Sequence, residues 1–328
     1  MKHALRVAAL AASVSFVLAA CGGKPSPDDA ASNPQAAAAA EALDGQQALT
    51  GKLNAYIECY NRVDADLHRG AEQYTRWIKD PAAGPTGNEE RVYGPNVLSE
   101  YDMKPCDAPL TEAAAAKPAL PALDKAALAY QSALKALAPI SQQVHDYYDR
   151  QDHEDDQFAK GKQLHAPLME ALSAFNTASE TFSDELEAQN DAAQREQLKA
   201  LEQAEGRTRE FYRLSMMLQA KEIVELMEDD SFDLAKASEL LEGFNRISDE
   251  AHEKVAGQEP GKMDWSSFES AAETFRREGK ARLKRVTDKT PYSRIEQGWL
   301  DSPSLAPEGS PGKLMRTYND LVFQSNRQ

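Results

Sequence analysis

Apolar residues recur along most of this chain at alternating steps of three and four, the spacing that places them on one face of an α-helix. Between Gln46 and Asp80 the series is Leu53, Tyr56, Ile57, Tyr60, Val63, Leu67, Ala71, Tyr74 and Ile78, which predicts a first long helix. A second runs to about Asp155 through Leu123, Ala127, Tyr130, Leu134, Leu137, Val144, Tyr148 and Gln151, with Pro139 placed to kink it. The turn around Gly161 leads to a third, carrying Leu164, Leu168, Phe175, Phe182 and Leu186. Phe211, Leu214, Leu218 and Leu226 mark a fourth. Leu234, Leu241, Phe244, Ile247, Ala251 and Val255 mark a fifth, stopped by Gly257, Pro260 and Gly261. Ser266 with Glu269 three residues on has the spacing of a capping box, opening a sixth through Phe268, Ala272, Phe275, Leu283 and Val286. Ser310 as N-cap before Pro311 opens the last, with Leu314, Tyr318, Leu321 and Val322.

Between these elements, the Pro and Gly residues from Pro81 to Pro109 break regular structure through about residue 110, and a Pro- and Ser-rich loop covers 288–309. Glu187 to Arg209 has too few apolar anchors to be buried, so it is either a projecting tip where the chain reverses or an exposed helical link. No alternating β-branched run flanked by hairpin turns occurs. The expected fold is all-α, an elongated bundle of about six or seven amphipathic helices whose narrow, Ala-rich stripes bury only by packing on one another.

The first residues follow a different pattern. Lys2 and Arg6 precede an apolar run from Val7 to Ala20 broken only by Ser13 and Ser15. That run is shorter than the roughly 20 residues needed to span a bilayer and reads as a secretory signal peptide over 1–20. Its end, Leu18-Ala19-Ala20-Cys21, resembles the lipobox of bacterial lipoproteins. The resemblance implies a diacylglycerol on the Cys21 thiol and palmitate-type acyl chains that hold the protein in a membrane, each buried CH₂ adding about 0.8 kcal/mol. Residues 21–45 are mostly Gly, Pro, Ser, Asp and Ala and read as a disordered tether, with nascent helix at Ala36 to Ala40. A helical domain over 46–328 follows.

Removing residues 1–20 takes away Lys2 and Arg6 and no acid, leaving 35 bases against 53 acids and a net charge of −18. Such a surface repels phosphates, which argues against nucleic acid as a partner. Mean hydropathy is −0.61, and no second apolar segment is long enough to span a membrane. With Cys21 assigned to lipid, Cys59 and Cys106 form an even pair in an exported chain, for which a disulfide is the economical reading and two buried free thiols the alternative.

The densest polar constellation is His145, Asp149, Asp152, His153, Asp155 and Asp156, followed by His165. On one uninterrupted helix 145, 149, 152 and 156 would share a face, and imidazole with carboxylates at that spacing holds divalent cations. Solvated helix-end charge is the plainer reading. The one basic cluster is Arg276, Arg277, Lys280, Arg282, Lys284 and Arg285. It suits the C-terminal end of a helix dipole, or else an acidic partner or anionic lipid headgroups. Catalytic motifs fail one by one. Gly257 to Lys262 is one residue short of a phosphate loop, Ser132 and Lys135 lack the companion motifs of an S-x-x-K enzyme, and His252-Glu253 lacks a second zinc-protease histidine.

Three segments, LNAYIECYNR at 53–62, YYDRQDHEDDQFAKGKQLH at 147–165 and YNDLV at 318–322, together with the lipobox resemble the YiiG-like bacterial lipoproteins, a helical family built on a domain of unknown function. The resemblance implies fold and location and supplies no catalytic residues. Within it, the pairs Tyr60-Asn61 and Tyr318-Asn319 suggest that each Asn bonds across to a neighbouring helix, since Asn is a poor interior helix residue. The expected protein is therefore an outer-membrane lipoprotein facing the periplasm, without cofactor, acting on an envelope partner or ligand by binding or as a structural component. A periplasmic metal-handling protein using the 145–165 cluster is one alternative, and an unrecognised hydrolase is another.

Overall fold

The computed structural model describes residues 34–255, 263–300, 302 and 304–327, with side chains from residue 44 onward except at 263 and 264. The expected signal peptide, Cys21 and Gly257 to Lys262 lie outside these residues. The described chain is all-α, with no strand among the described residues, and it divides into two compact units, the first ending at Asn190 and the second beginning at Asp191. No helix among the described residues is long and apolar enough to cross a membrane.

In unit 1, α1 spans Pro34–Arg76. It therefore starts twelve residues before the expected domain boundary at 46, inside the segment read as a tether. Ala is the strongest helix former and Pro suits a first helical position, so local propensity alone favours helix here. Downstream, Leu53, Tyr56, Ile57, Tyr60, Val63, Leu67 and Tyr74 are buried as the periodicity predicts, and Ala71 is half-buried. The Pro- and Gly-rich stretch is more ordered than expected. Ser99 and Asp102 form a capping box on α2 (Glu100–Met103), a 3₁₀ turn follows at Lys104–Cys106, and α3 occupies Ala108–Ala115. Cys106 is bonded to Cys59 of α1, and both are fully buried.

α4 spans Pro121–Asp149 and contains Pro139, ending before the expected Asp155 because Gln151 adopts a left-handed conformation (φ 62°). A short α5 (Asp152–Asp155) and two further left-handed residues, Gln157 and Phe158, complete the reversal. The turn is thus at 150–158, while Gly161 lies inside the first turns of α6 (Ala159–Glu205). Its hydrogen is required for packing, since a Cβ there would stand 2.7 Å from Tyr148 Oη and 2.9 Å from Tyr147 Cε1. The unit-1 core is formed where α1, α4 and α6 meet. Tyr60 packs on Tyr130, and Phe182 receives the edge of Tyr56 and the tilted ring of Tyr130 at 5.8 and 5.0 Å.

In unit 2 the polar stretch from Glu187 takes the helical alternative, continuing α6 to a reversal at Gly206 (φ 75°). It is not wholly exposed: Gln194 and Leu201 are buried, and Asp191 pairs with Lys221. α7 (Arg209–Leu226) packs on α8 (Leu234–Val255) and α11 (Pro311–Asn326), and α9 (Met263–Thr287) packs on α8 and α11. The core is Phe211, Leu218, Leu241, Phe244, Phe268, Phe275, Leu314 and Leu321. α9 begins three residues ahead of Ser266, which is interior rather than a cap, and buries Trp265 in its first turn. Ser310 caps α11 by accepting from Lys313 N, with Pro311 at the first helical position, as the sequence predicts. A short α10 (Arg294–Gln297) interrupts the loop before it. With these short segments the chain carries more helices than the expected six or seven.

Candidate functional site

The segment 147–165 brings most of the expected metal ligands to the α4–α6 reversal of unit 1, but as separate hydrogen-bonded groups. His145 lies on α4, His153 on α5 and His165 on α6. The break at Arg150 and Gln151 removes the continuous helix on which 145, 149, 152 and 156 would have shared a face. His145 Nδ1 donates to Pro95 O at 3.0 Å. His165 Nε2 lies 2.8 Å from Pro81 O, which can only accept, so this nitrogen carries the proton and Nδ1 accepts from Tyr74 Oη at 2.9 Å. The ring rests on Gly84 (φ 84°), where a Cβ would come within 2.7 Å of it. Asp156 accepts from Tyr147 Oη at 2.6 Å and from Lys160 N at 2.9 Å, capping α6. The Tyr147 hydroxyl, helped by backbone N–H groups, holds the Asp156 carboxyl below the usual carboxylate range. Asp149 and Asp155 are exposed and Asp152 is half-buried. Among the described residues no three His, Cys, Asp or Glu side chains are grouped to hold a metal ion, and the residues named for that alternative, His145, His165 and Asp156, make separate hydrogen bonds that fasten loop onto helix. His153 is buried between Tyr148 and Phe158, with ring centroids 5.6 and 5.0 Å away, and its Nδ1 lacks a hydrogen-bond partner.

A second polar centre escapes the sequence motifs. Asp64 is fully buried on α1. Its Oδ1 accepts from Ser179 Oγ of α6 at 2.6 Å and from Tyr130 Oη of α4 at 3.1 Å, so one carboxylate fixes the register of three helices. His68 Nε2 stands 3.5 Å from both Asp64 Oδ2 and Ser179 Oγ. Ser, His and Asp are therefore adjacent, but not as a hydrolytic triad, which places acid and nucleophile on opposite ring nitrogens. Here both meet the same nitrogen, and the serine proton goes directly to the acid. Burial, reinforced by the Asp64 charge, raises the Tyr60 and Tyr130 hydroxyls well above their ordinary range. The available signal was positional: Asp64 follows Tyr60 by four residues and precedes Leu67 by three, inside the buried stripe. Asn61, three positions before Asp64, is exposed and makes no cross-helix bond among the described residues, and Asn319 is half-buried. The register role expected of Asn61 belongs to Asp64.

Residues 47–327 match the family described as "Protein of unknown function (DUF3829)". The chain is also 33% identical over 286 residues, covering 87% of its length and 80% of the relative's, to "Uncharacterized protein YiiG" of Escherichia coli (strain K12). The chain belongs to this YiiG-like family. No solved structure matches it. In this YiiG-like chain, the three segments that carried the resemblance are structural. LNAYIECYNR supplies the core face of α1 and the disulfide-bonded Cys59, 147–165 forms the α4–α6 reversal, and YNDLV supplies buried Tyr318, Leu321 and Val322 of α11.

The basic cluster of this YiiG-like chain is likewise divided. Arg282 is fully buried, donating from Nε to Met227 O at 3.2 Å, from Nη1 to Asp230 Oδ1 at 2.6 Å and Gly309 O at 3.3 Å, and from Nη2 to Asp229 O at 2.6 Å. It joins two loops to α9. Glu278 beside it accepts from Gly309 N, and burial raises its carboxyl above the ordinary value. Arg276 pairs with Asp249, Arg285 with Glu296 and Lys284 with Asp288. Arg277 and Lys280 remain exposed.

Proposed function

We propose that this YiiG-like chain is a lipid-anchored protein of the bacterial outer membrane whose helical domain faces the periplasm and acts by binding, or as an envelope component, rather than by catalysis. The observation that carries the reading is Leu18-Ala19-Ala20-Cys21 at the end of a basic-then-apolar leader. Gly22 after the lipid-bearing residue, in place of Asp, fits sorting to the outer membrane. The bonded pair Cys59 and Cys106 agrees with an oxidising compartment. The non-catalytic part is supported by the commitments of the polar groups: His165, Asp64 and Arg282 are occupied in tying elements together.

Labelling of growing cells with radioactive palmitate tests the anchor. The intact protein takes up label and fractionates with outer membranes on a density gradient, and Cys21→Ser takes up none and leaves that fraction. An unlabelled, freely soluble wild-type protein overturns the proposal.

A further inference from the structure

The short run from Arg276 to Ile295 holds eight bases and two acids in a chain of net charge −16. Four of those bases are paired, Arg276, Arg282, Lys284 and Arg285, as described above. The other four, Arg277, Lys280, Lys289 and Arg294, are exposed, and none pairs with an acid among the described residues. The α10 segment and the loop after it present three large apolar side chains to solvent, Ile295 at 66% exposure, Trp299 at 42% and Leu305 at 55%, and Lys289 and Arg294 belong to the same segment. Trp299 follows α10 in a turn, its backbone N–H donating to Glu296 O at 2.9 Å. The α10 segment is fastened to the end of α9. Arg285 stacks on Tyr292 at 4.4 Å and pairs with Glu296 at 3.1 Å, and Thr290 N donates to Arg285 O at 2.9 Å.

We propose that this corner of unit 2 is a second membrane contact, with Ile295 and Trp299 entering the lipid interface and Lys289 and Arg294 of the same segment meeting anionic phospholipid headgroups. Trp favours the interface, where its ring is apolar and its N–H stays wet. Protruding apolar side chains set among bases suit a fluid surface, which needs no matching pocket, whereas a protein partner must supply one. Nucleic acid offers no apolar layer for these side chains to enter. The inference rests on the proposed acyl anchor in that the anchor brings the domain to a membrane. Together the two attachments hold unit 2 against the bilayer surface.

The test uses the full acylated chain in vesicles of phosphatidylcholine, with or without phosphatidylglycerol, whose acyl chains carry bromine as a tryptophan quencher. Trp299→Phe assigns the quenched signal. The expected result is quenching of Trp299 only when phosphatidylglycerol is present. A basic residue at an anionic surface strengthens attachment about fivefold, so Lys289→Glu with Arg294→Glu lowers the docked-to-undocked ratio by at least about 25-fold. Equal quenching in the two vesicle types, or no change on charge reversal, overturns the proposal. So does protection of Trp299 by an acidic protein when anionic vesicles leave it unquenched. Flotation of wild type against Cys21→Ser reads the anchor separately: failure of the anchor leaves both floating alike, and failure of the second contact leaves Trp299 unquenched on an anchored protein.

Discussion

Replacing Arg282 with Met keeps most of the side chain's volume and removes every donor. The guanidinium makes four hydrogen bonds, three of them to backbone carbonyls. Asp230, two-thirds exposed, regains water when released and contributes little. Met227 O is in a buried bond, and left unpaired it costs about 1–3 kcal/mol, whereas Gly309 O keeps the Tyr292 hydroxyl at 3.3 Å. Losing the charge over Phe232, 5.5 Å from its ring centroid, adds roughly 0.5–1 kcal/mol. Relief of the guanidinium's own desolvation acts in the opposite direction. The net expectation is about 2 kcal/mol of destabilisation. At a urea dependence of about 2 kcal/mol per molar, the unit-2 midpoint falls by roughly 1 M. In a Trp77→Phe background, the fluorescence of buried Trp265 reports that transition. Arg282→Lys, which supplies charge but not the planar fork, is expected between the two. A midpoint shift below about 0.5 M for Arg282→Met, or Lys behaving as Arg, refutes the assignment of Arg282 as the tie between the 227–230 and 309 loops.

Asp64→Leu removes the acceptor shared by Ser179 and Tyr130 and is expected to cost about 2–4 kcal/mol, while exposed Asn61→Leu stays within about 0.5 kcal/mol; urea titration of both separates the buried register residue from its neighbour. Opening the Cys59–Cys106 bond, by double Ala replacement or by reductant, releases a loop of 47 residues' separation and lowers stability by about 4 kcal/mol in the chain-entropy model, read as a shift in the thermal midpoint of the oxidised against the reduced protein. Gly161→Ala drives a methyl into Tyr147 and Tyr148 and costs about 1–3 kcal/mol. Gly45→Ala, with nothing within 4 Å, gains up to about 1 kcal/mol. Glu269, hydrogen-bonded to His252 Nδ1 at 2.6 Å, raises the imidazole pKa above its ordinary value. The stabilisation from this pair is therefore complete below the unfolded histidine pKa and is lost as pH rises through the folded one. NMR titration should show the His252 midpoint returning to the ordinary range in Glu269→Gln.

The helical period alone determined the class and most of the core, because each long stripe has only one way to bury its apolar face. Leu53 to Tyr74 and Leu123 to Tyr148 are buried almost position for position. Local signals with local causes, such as Ser310 before Pro311, were equally legible. The lipobox-like Leu18-Ala19-Ala20-Cys21 is likewise a sequence pattern, and the anchor proposed from it rests on no tertiary contact. Tertiary structure decided where like residues part company. Asp64 and Asn61 sit three positions apart on one helix, and only the approach of Tyr130 and Ser179 makes the first a buried tie. Arg282 and Lys280 belong to one basic run, and only the loops at Met227 and Gly309 enclose the first. The 145–165 cluster satisfied the spacing of a metal site on a continuous helix, but a left-handed Gln151 and the rings around it broke that helix. Burial and partners of a polar group depend on segments distant in sequence, and no periodicity within one helix encodes them.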